Sequence, residues 1–347
     1  MKKHAIIPIF IPHRGCPNDC VFCNQRKITA RTDYVTPDDA RSIIDTWLTT
    51  LRPSPDAQGS GIVEVSFYGG SFTGLSIEEQ SSFLAVAKEY KQKGLVDKIH
   101  LSTRPDYIDR EILDNLRAYS VDTIELGVQS FDDEVLRLSN RGHSVSDVYK
   151  AVELIREYGF EFGIQLMIGL PGDSLESCVM SARKTAELGP SLARLYPTIV
   201  LDDTELYEMY VRGEYLPLSR EEAVARTKEM YKILNDAGIT IMRVGLKSTD
   251  IIGEGGAING GTYHPAFRQL VEGEIAREKI EAQIEALLEL HPEAASVTVS
   301  SGSHWFSNMI GHKACNKEYF ARKYPELRII YRTDDALEDG QFKTAMG

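Results

Sequence analysis

Between residues 5 and 200 the chain alternates short runs rich in β-branched residues with longer stretches whose apolar positions recur every three or four residues. The first pattern marks strands and the second marks helices with one buried face. Strands are predicted over 5–11, 62–68, 98–103, 123–128, 162–168 and 194–200. Helices are predicted between them, over 37–51, 77–93, 109–119, 146–158 and 174–188. Start signals support the periodicity. Thr36-Pro37-Asp38-Asp39 sets a capping hydroxyl before a proline at the first helical position, and Ser76-Ile77-Glu78-Glu79 is a capping box. Repeated strand–helix–strand units build a parallel sheet with right-handed crossovers. Six units are too few to close an eight-stranded barrel. The expected class is therefore α/β, an open (β/α)6 partial barrel.

Beyond residue 200 the rhythm changes. Helices are expected over 205–215 and 220–235, then a strand over 239–244 and a glycine-rich loop or lid over 253–261. A charged amphipathic helix over 272–290 follows, with strands over 296–300 and 327–331 and a helix near 317–323. This divides the chain into a core, 1–245, and a small C-terminal α/β extension, 246–347.

Composition narrows the setting. Apolar residues make up 42% of the 347, enough for a sizeable core, and no run of eighteen apolar residues exists. The apolar run after the N-terminus is seven residues long and is flanked or interrupted by Pro8 and Pro12, unlike a signal peptide. A cytoplasmic protein with no membrane span is expected. The net charge of −12 works against general binding to a phosphate backbone.

In barrels of this kind the chemistry sits at the carboxyl ends of the strands, and each unusual motif here follows a predicted strand. After the first come Cys16, Cys20 and Cys23, with the next cysteine at Cys178. Thiolates suit iron–sulfur clusters, zinc or cuprous copper. A structural zinc site or a ferredoxin cluster wants four protein ligands, so three thiolates would leave one iron of a [4Fe–4S] cluster open. The competing reading is a zinc knuckle completed by His13. After the second strand come Gly69, Gly70 and Ser71, a turn that lets a ligand approach the backbone closely. Gln129, Arg141 and Gln165 stand in or beyond later strands. Arg141 has the fork that clamps a carboxylate, and Gln165 interrupts an apolar run and so needs a partner. Taken singly, each of these residues has an ordinary turn or surface explanation. In the C-terminal part, His312 and Cys315 have metal-ligand spacing with only His304 nearby, and Tyr263 and His264 follow the glycine-rich stretch. Packing and surface roles account for these more simply.

The segment Cys16-Pro17-Asn18-Asp19-Cys20-Val21-Phe22-Cys23 resembles the cluster loop of the radical S-adenosylmethionine (SAM) superfamily. Thr103-Arg104-Pro105-Asp106-Tyr107, Glu125-Leu126-Gly127-Val128-Gln129-Ser130, Asn140-Arg141-Gly142-His143, Gly169-Leu170-Pro171-Gly172 and Leu195-Tyr196-Pro197-Thr198 extend the likeness. Together they resemble the radical SAM core of the elongator-complex catalytic subunit over about residues 5–245, without its acetyltransferase domain. Oxygen-independent coproporphyrinogen oxidase is a more distant likeness.

The resemblance implies an enzyme with a [4Fe–4S] cluster on Cys16, Cys20 and Cys23. It implies SAM held by Gly69, Gly70, Ser71, Gln129, Arg141 and Gln165, and an electron donor such as flavodoxin or ferredoxin. SAM cleavage would then give a 5′-deoxyadenosyl radical that abstracts hydrogen from a substrate. Gln165 and Ser102 depart from the oxidase pattern, which has aspartate and glutamate there. The alternatives are a tRNA-modifying enzyme, which the charge disfavours, and a cluster- or zinc-binding scaffold without SAM chemistry.

Overall fold

Two polar-to-apolar rows alternate along each strand, and this alternation sets the architecture. A computed structural model describes residues 4–11, 16, 20–24, 35–52, 61–246 and 258–347. Its first six strands are β1 (His4–Phe10), β2 (Ile62–Tyr68), β3 (Lys98–Thr103), β4 (Thr123–Gln129), β5 (Glu161–Ile168) and β6 (Leu192–Pro197). They pair in chain order, all parallel, and a seventh strand lies beyond β6. The sheet curls into the half-barrel of a partial TIM barrel. One row, including Ile7, Val65, Ile99, Leu101, Ile124, Leu126, Ile164, Leu166 and Leu195, is fully buried and apolar. Helices Pro37–Leu51, Ile77–Gln92, Arg110–Ala118, Val145–Glu157 and Leu175–Leu188 return the chain between successive strands. Thr36, Ser76, Asp109, Ser144 and Ser174 cap them, each accepting from a backbone N–H of the first turn.

The run expected as one strand over 194–200 is two. β6 ends at Pro197, which has no amide hydrogen to continue a ladder, and Thr198 N donates instead to Ile168 O at 2.8 Å. The chain resumes as β7 (Ile199–Leu201), and a strand after it, β8 (Thr240–Val244), takes the free edge of β6. The sheet thus has seven strands where six units were expected. The glycine-rich stretch is only partly described. Its residues up to 257 lie outside the described residues, and its end forms β9 (Ile258–Gly261), antiparallel to β7. The short helix Asp133–Leu138, capped by Asp132, escaped the periodicity because six residues hold too few turns to show one.

The chain forms two compact units, Met1–Ala223 with Met230–Tyr263, and Val224–Glu229 with His264–Gly347. In the second, helix Phe267–Leu290 packs Ala276, Ile280 and Ile284 on one face of a three-stranded sheet. Its strands are β10 (Ser296–Ser301), β11 (Arg328–Thr333) and β12 (Phe342–Met346), with β10 central. Trp305, Met309, Phe320 and Phe342 complete that core. Gly311 has φ +81°, and a Cβ there would stand 2.7 Å from Cys315 Sγ and 2.8 Å from Asn316 N. Gly311→Ala is expected to cost about 1–3 kcal/mol, read as a lower urea midpoint for this unit.

Candidate active site

Backbone bonds tie the cysteine segment to the short helices that follow β4 and β7. Val21 N donates to Ser139 O (3.2 Å), Leu206 N donates to Val21 O (2.7 Å), and Cys23 N turns back to Cys20 O (2.9 Å). Val21 is buried with Val200, Leu206 and Tyr215, and Phe22 packs against the same group. Cys20 is thereby buried, whereas Cys16 and Cys23 are partly exposed. His13 lies outside the described residues.

Arg141 joins this loop to the middle of the sheet. It is 6% exposed; Nη1 donates to Cys20 Sγ at 3.3 Å and Nη2 to Gly127 O at 2.6 Å. Gln165 Nε2 donates to Gln129 Oε1 at 3.2 Å, which pairs the two glutamines across β4 and β5. Gln129 reaches this position through a bulge after Gly127 and a left-handed backbone, φ +70°, which glutamine rarely adopts. A Cβ on Gly127 would lie 3.0 Å from Gln129 Nε2 and 3.5 Å from both Arg141 Nη2 and Thr103 O. Gly127→Ala should therefore push the Gln129 amide aside. If Gln129 holds SAM as the resemblance implies, a loss of SAM affinity in equilibrium dialysis, with little change in melting temperature, is the expected result.

The glycine turn is built differently. Gly69 takes φ +99°, and Gly70 lines a small recess with Ile11, Phe67, Tyr68, Phe72, Leu75 and Ser102. Ser71 is buried; its Oγ bonds Thr103 Oγ1 (2.9 Å) and accepts from Arg104 N (3.1 Å), tying the end of β2 to that of β3.

Two neighbours were not singled out as site residues. Arg104 is 3% exposed and gives Nε and Nη2 to Asp106. Burial works against its charge, but Asp106 and then the Cys16 and Cys20 sulfurs outweigh it and raise its pKa. His143 is buried, and burial, then the Arg141 charge, push it down to about 3. It is therefore neutral at physiological pH. Position after a strand was the signal available for Arg104. For His143 there was none beyond adjacency to Arg141.

The concave side of the sheet is charged where such barrels usually carry branched apolar side chains. Glu64 Oε1 meets His100 Nδ1 at 3.0 Å, His100 Nε2 faces Glu125 Oε2 at 3.6 Å, and Arg194 Nε meets the same oxygen at 2.7 Å. Arg194 Nη2 donates to Tyr68 Oη at 2.5 Å, and Ser66 and Ser102 donate to Glu64 and Glu125. Cross-strand register places Gln165 beside Arg194, so the charged row runs up to the glutamine pair. Burial alone would lower the His100 pKa, but Glu125 and Glu64 raise it to about 9 from an ordinary 6.5. A raised histidine contributes stability that is complete below about 6.5 and is lost as pH rises through about 9. The melting temperature should fall over that window, and His100→Gln should flatten the slope.

The donor set fits an anionic iron–sulfur cluster. Three soft thiols share the site with two buried guanidiniums, and Arg104 Nη1 and Arg141 Nε have no partner among the described residues. No group of three or more His, Cys, Asp or Glu side chains among the described residues is placed to hold a metal ion. In the second unit His304 pairs with Asp339, while His312 meets Gln269 and packs its ring edge-on against His264. Cys315 is exposed, and Tyr263 packs with Ile199 and Leu201 in the first unit.

Comparison with known proteins settles the family. Residues 10–184 match the Radical SAM superfamily, and residues 190–277 match the Radical SAM C-terminal domain. The chain belongs to the radical SAM superfamily. It is an enzyme of a family that binds a [4Fe–4S] cluster and SAM. The tRNA uridine(34) acetyltransferase of Methanocaldococcus infernus is 34% identical over 182 residues, 47% of this chain and 34% of that protein. Elongator complex protein 3 of Homo sapiens is 29% identical over 253 residues, 61% of this chain and 46% of the relative. The chain thus spans between a third and a half of these relatives' length. Among solved structures, archaeal Elp3 of Methanocaldococcus infernus with its N-terminus deleted has a TM-score of 0.63 at 24% identity. That match covers 80% of this chain and 64% of the other. Coproporphyrinogen III oxidase from Escherichia coli has a TM-score of 0.50 at 24% identity, over 68% of this chain and 53% of the other. These two likenesses concern the fold. No helix among the described residues is long and apolar enough to cross a membrane.

Proposed function

We propose that this chain is a radical SAM enzyme that removes a hydrogen atom from an RNA substrate. One observation carries the assignment of the centre: Arg141 bonds Cys20 on one side and the Gly127–Gln129 bulge on the other, linking the cysteine loop to the strand ends. In this reading Cys16, Cys20 and Cys23 hold the cluster, and the backbone of Gly69 and Gly70 receives the amino end of SAM. Arg141 serves the carboxylate through Nε, which has no partner among the described residues, and Gln129 and Gln165 serve the ribose hydroxyls. Ser71 would act by holding the glycine turn against β3, since its hydroxyl is engaged there. When bound, the two cofactors supply one-electron cleavage of a sulfonium bond and a carbon radical. The chain's own part is to orient SAM, keep His143 neutral beside the site and exclude water.

Residues 1–245 would carry the chemistry, with a one-electron donor of the flavodoxin or ferredoxin kind. The RNA part of the reading rests on the relatives, whose printed names include a tRNA uridine(34) acetyltransferase. Anaerobically reconstituted protein under strong reductant should release methionine and 5′-deoxyadenosine. Arg141→Met should weaken SAM binding, whereas a scaffold without SAM chemistry would keep its function in that variant. Absence of SAM cleavage by cluster-loaded protein would reject the enzymatic assignment.

A further inference from the structure

The second unit has a sheet with one covered face and one open face. Val297, Val299 and Phe342 point into its core, and Ile329 and Tyr331 pack against them. Residues paired across neighbouring strands share a face, so register defines the opposite side. Ser296, Thr298 and Ser300 of β10 pair with Arg328, Ile330 and Arg332 of β11. Thr298 and Ser300 also pair with Ala345 and Lys343 of β12. The open face is therefore a row of three hydroxyls flanked by three cations, with Ile330 and Ala345 between and no carboxylate among its positions. Arg328, Arg332 and Lys343 are exposed, and none has an ion pair or side-chain hydrogen bond among the described residues. Three other cations of the unit are committed, Arg268 to Glu272, Arg277 to Glu274, and Lys323 to Glu281 and Glu285, whereas exposed Lys313, Lys317 and Arg322 stand off this face. Asp334 and Asp335, just past β11, are turned to the backbone N–H groups of Ala336 and Ser303.

We infer that this face docks the RNA substrate by its phosphate backbone. The inference rests on the RNA part of the proposed function and adds a site in residues 296–347, beyond both family matches. Three cations on one sheet face without a carboxylate make a locally positive surface on a chain of net charge −12, complementary to a phosphate backbone. They span roughly 10 by 13 Å from strand spacing and rise, the reach of several phosphates. The hydroxyls add neutral donors to phosphate oxygens. The face carries no aromatic side chain, so it offers no stacking platform, and contact with the backbone is expected to be insensitive to sequence.

The test uses the full reconstituted chain and a fluorescein-labelled RNA hairpin, followed by anisotropy between 50 and 200 mM salt. Three phosphate contacts predict that affinity falls about 20- to 40-fold over that range. The triple variant Arg328→Ser, Arg332→Ser, Lys343→Ser should bind at least about tenfold more weakly at low salt and lose most of the salt dependence. A second triple variant, Lys313→Ser, Lys317→Ser, Arg322→Ser, removes equal charge elsewhere in the unit and should bind like the parent. Melting curves of both variants should match the parent, since every altered side chain is exposed. The docking face is overturned if its variant binds RNA as the parent does, or if the two variants weaken binding equally. It is also overturned if anionic lipid vesicles are bound and the hairpin is not. SAM cleavage, measured separately, reports on the radical chemistry whatever the RNA result, and RNA bound equally by all three proteins would leave the RNA reading standing without this face.

Discussion

Arg194→Met should cost about 3–5 kcal/mol of folding stability, the usual consequence of leaving one member of a buried ion pair alone. Glu125 is 1% exposed, and its carboxylate is held well below the ordinary range against the pull of burial. The Arg194 charge is the main cause, with His100 beside it. Without the guanidinium, Glu125 is left, among the described residues, with His100 at 3.6 Å and the Ser102 hydroxyl at 3.3 Å. The protein would then either keep a poorly paired charge or take up a proton. Chemical denaturation should show a loss of this size at pH 7. The double variant Glu125→Gln, Arg194→Met should recover a large part of it, because the amide carries no charge to desolvate. If the double variant is as unstable as the single one, packing of the arginine stem, and not the charge pair, is what holds this part of the sheet.

Cys20→Ser should abolish cluster assembly. The substitution nearly preserves volume and leaves an oxygen that can still accept from Arg141, so the apo fold should survive. In the proposed reading it removes one of three soft ligands from a site that has no fourth cysteine in the loop. After anaerobic reconstitution the variant should lack bound iron, acid-labile sulfide and visible charge-transfer absorbance. Arg141→Met should behave differently, retaining the cluster with about 10–100-fold weaker hold, as losing a partner of a ligating group commonly does. Iron and sulfide content therefore separates the two residues without reference to turnover. Zinc in place of iron, or a cluster retained by the serine variant, would contradict the assignment.

The repeating units were legible because burial of one strand row under amphipathic helices imposes both periods at once, and the capping residues at Thr36 and Ser76 punctuate them. The cysteine spacing was legible for another reason: one short loop must bring its ligands together, so local sequence carries the geometry. Gly69 and Gly70 shared that advantage. The role of Ser71 was not legible, since its partner Thr103 is on another strand, 32 residues away. The strand break at Thr198 left only Pro197 as a trace, and the seventh strand could be read as a strand but not placed beside β6.

Sequence alone determined the α/β class, the three-thiol loop and the family, because each rests on local spacing or on motifs that survive without neighbours. Only the tertiary structure decided which polar residues meet. Glu64, His100, Glu125 and Arg194 come from four strands, and a charge buried among them is tolerable only once all four are paired. The net charge, likewise, averages over the chain. Cross-strand register is what sets Arg328, Arg332 and Lys343 on one open face, and electrostatic attraction depends on where charges stand as well as on their sum.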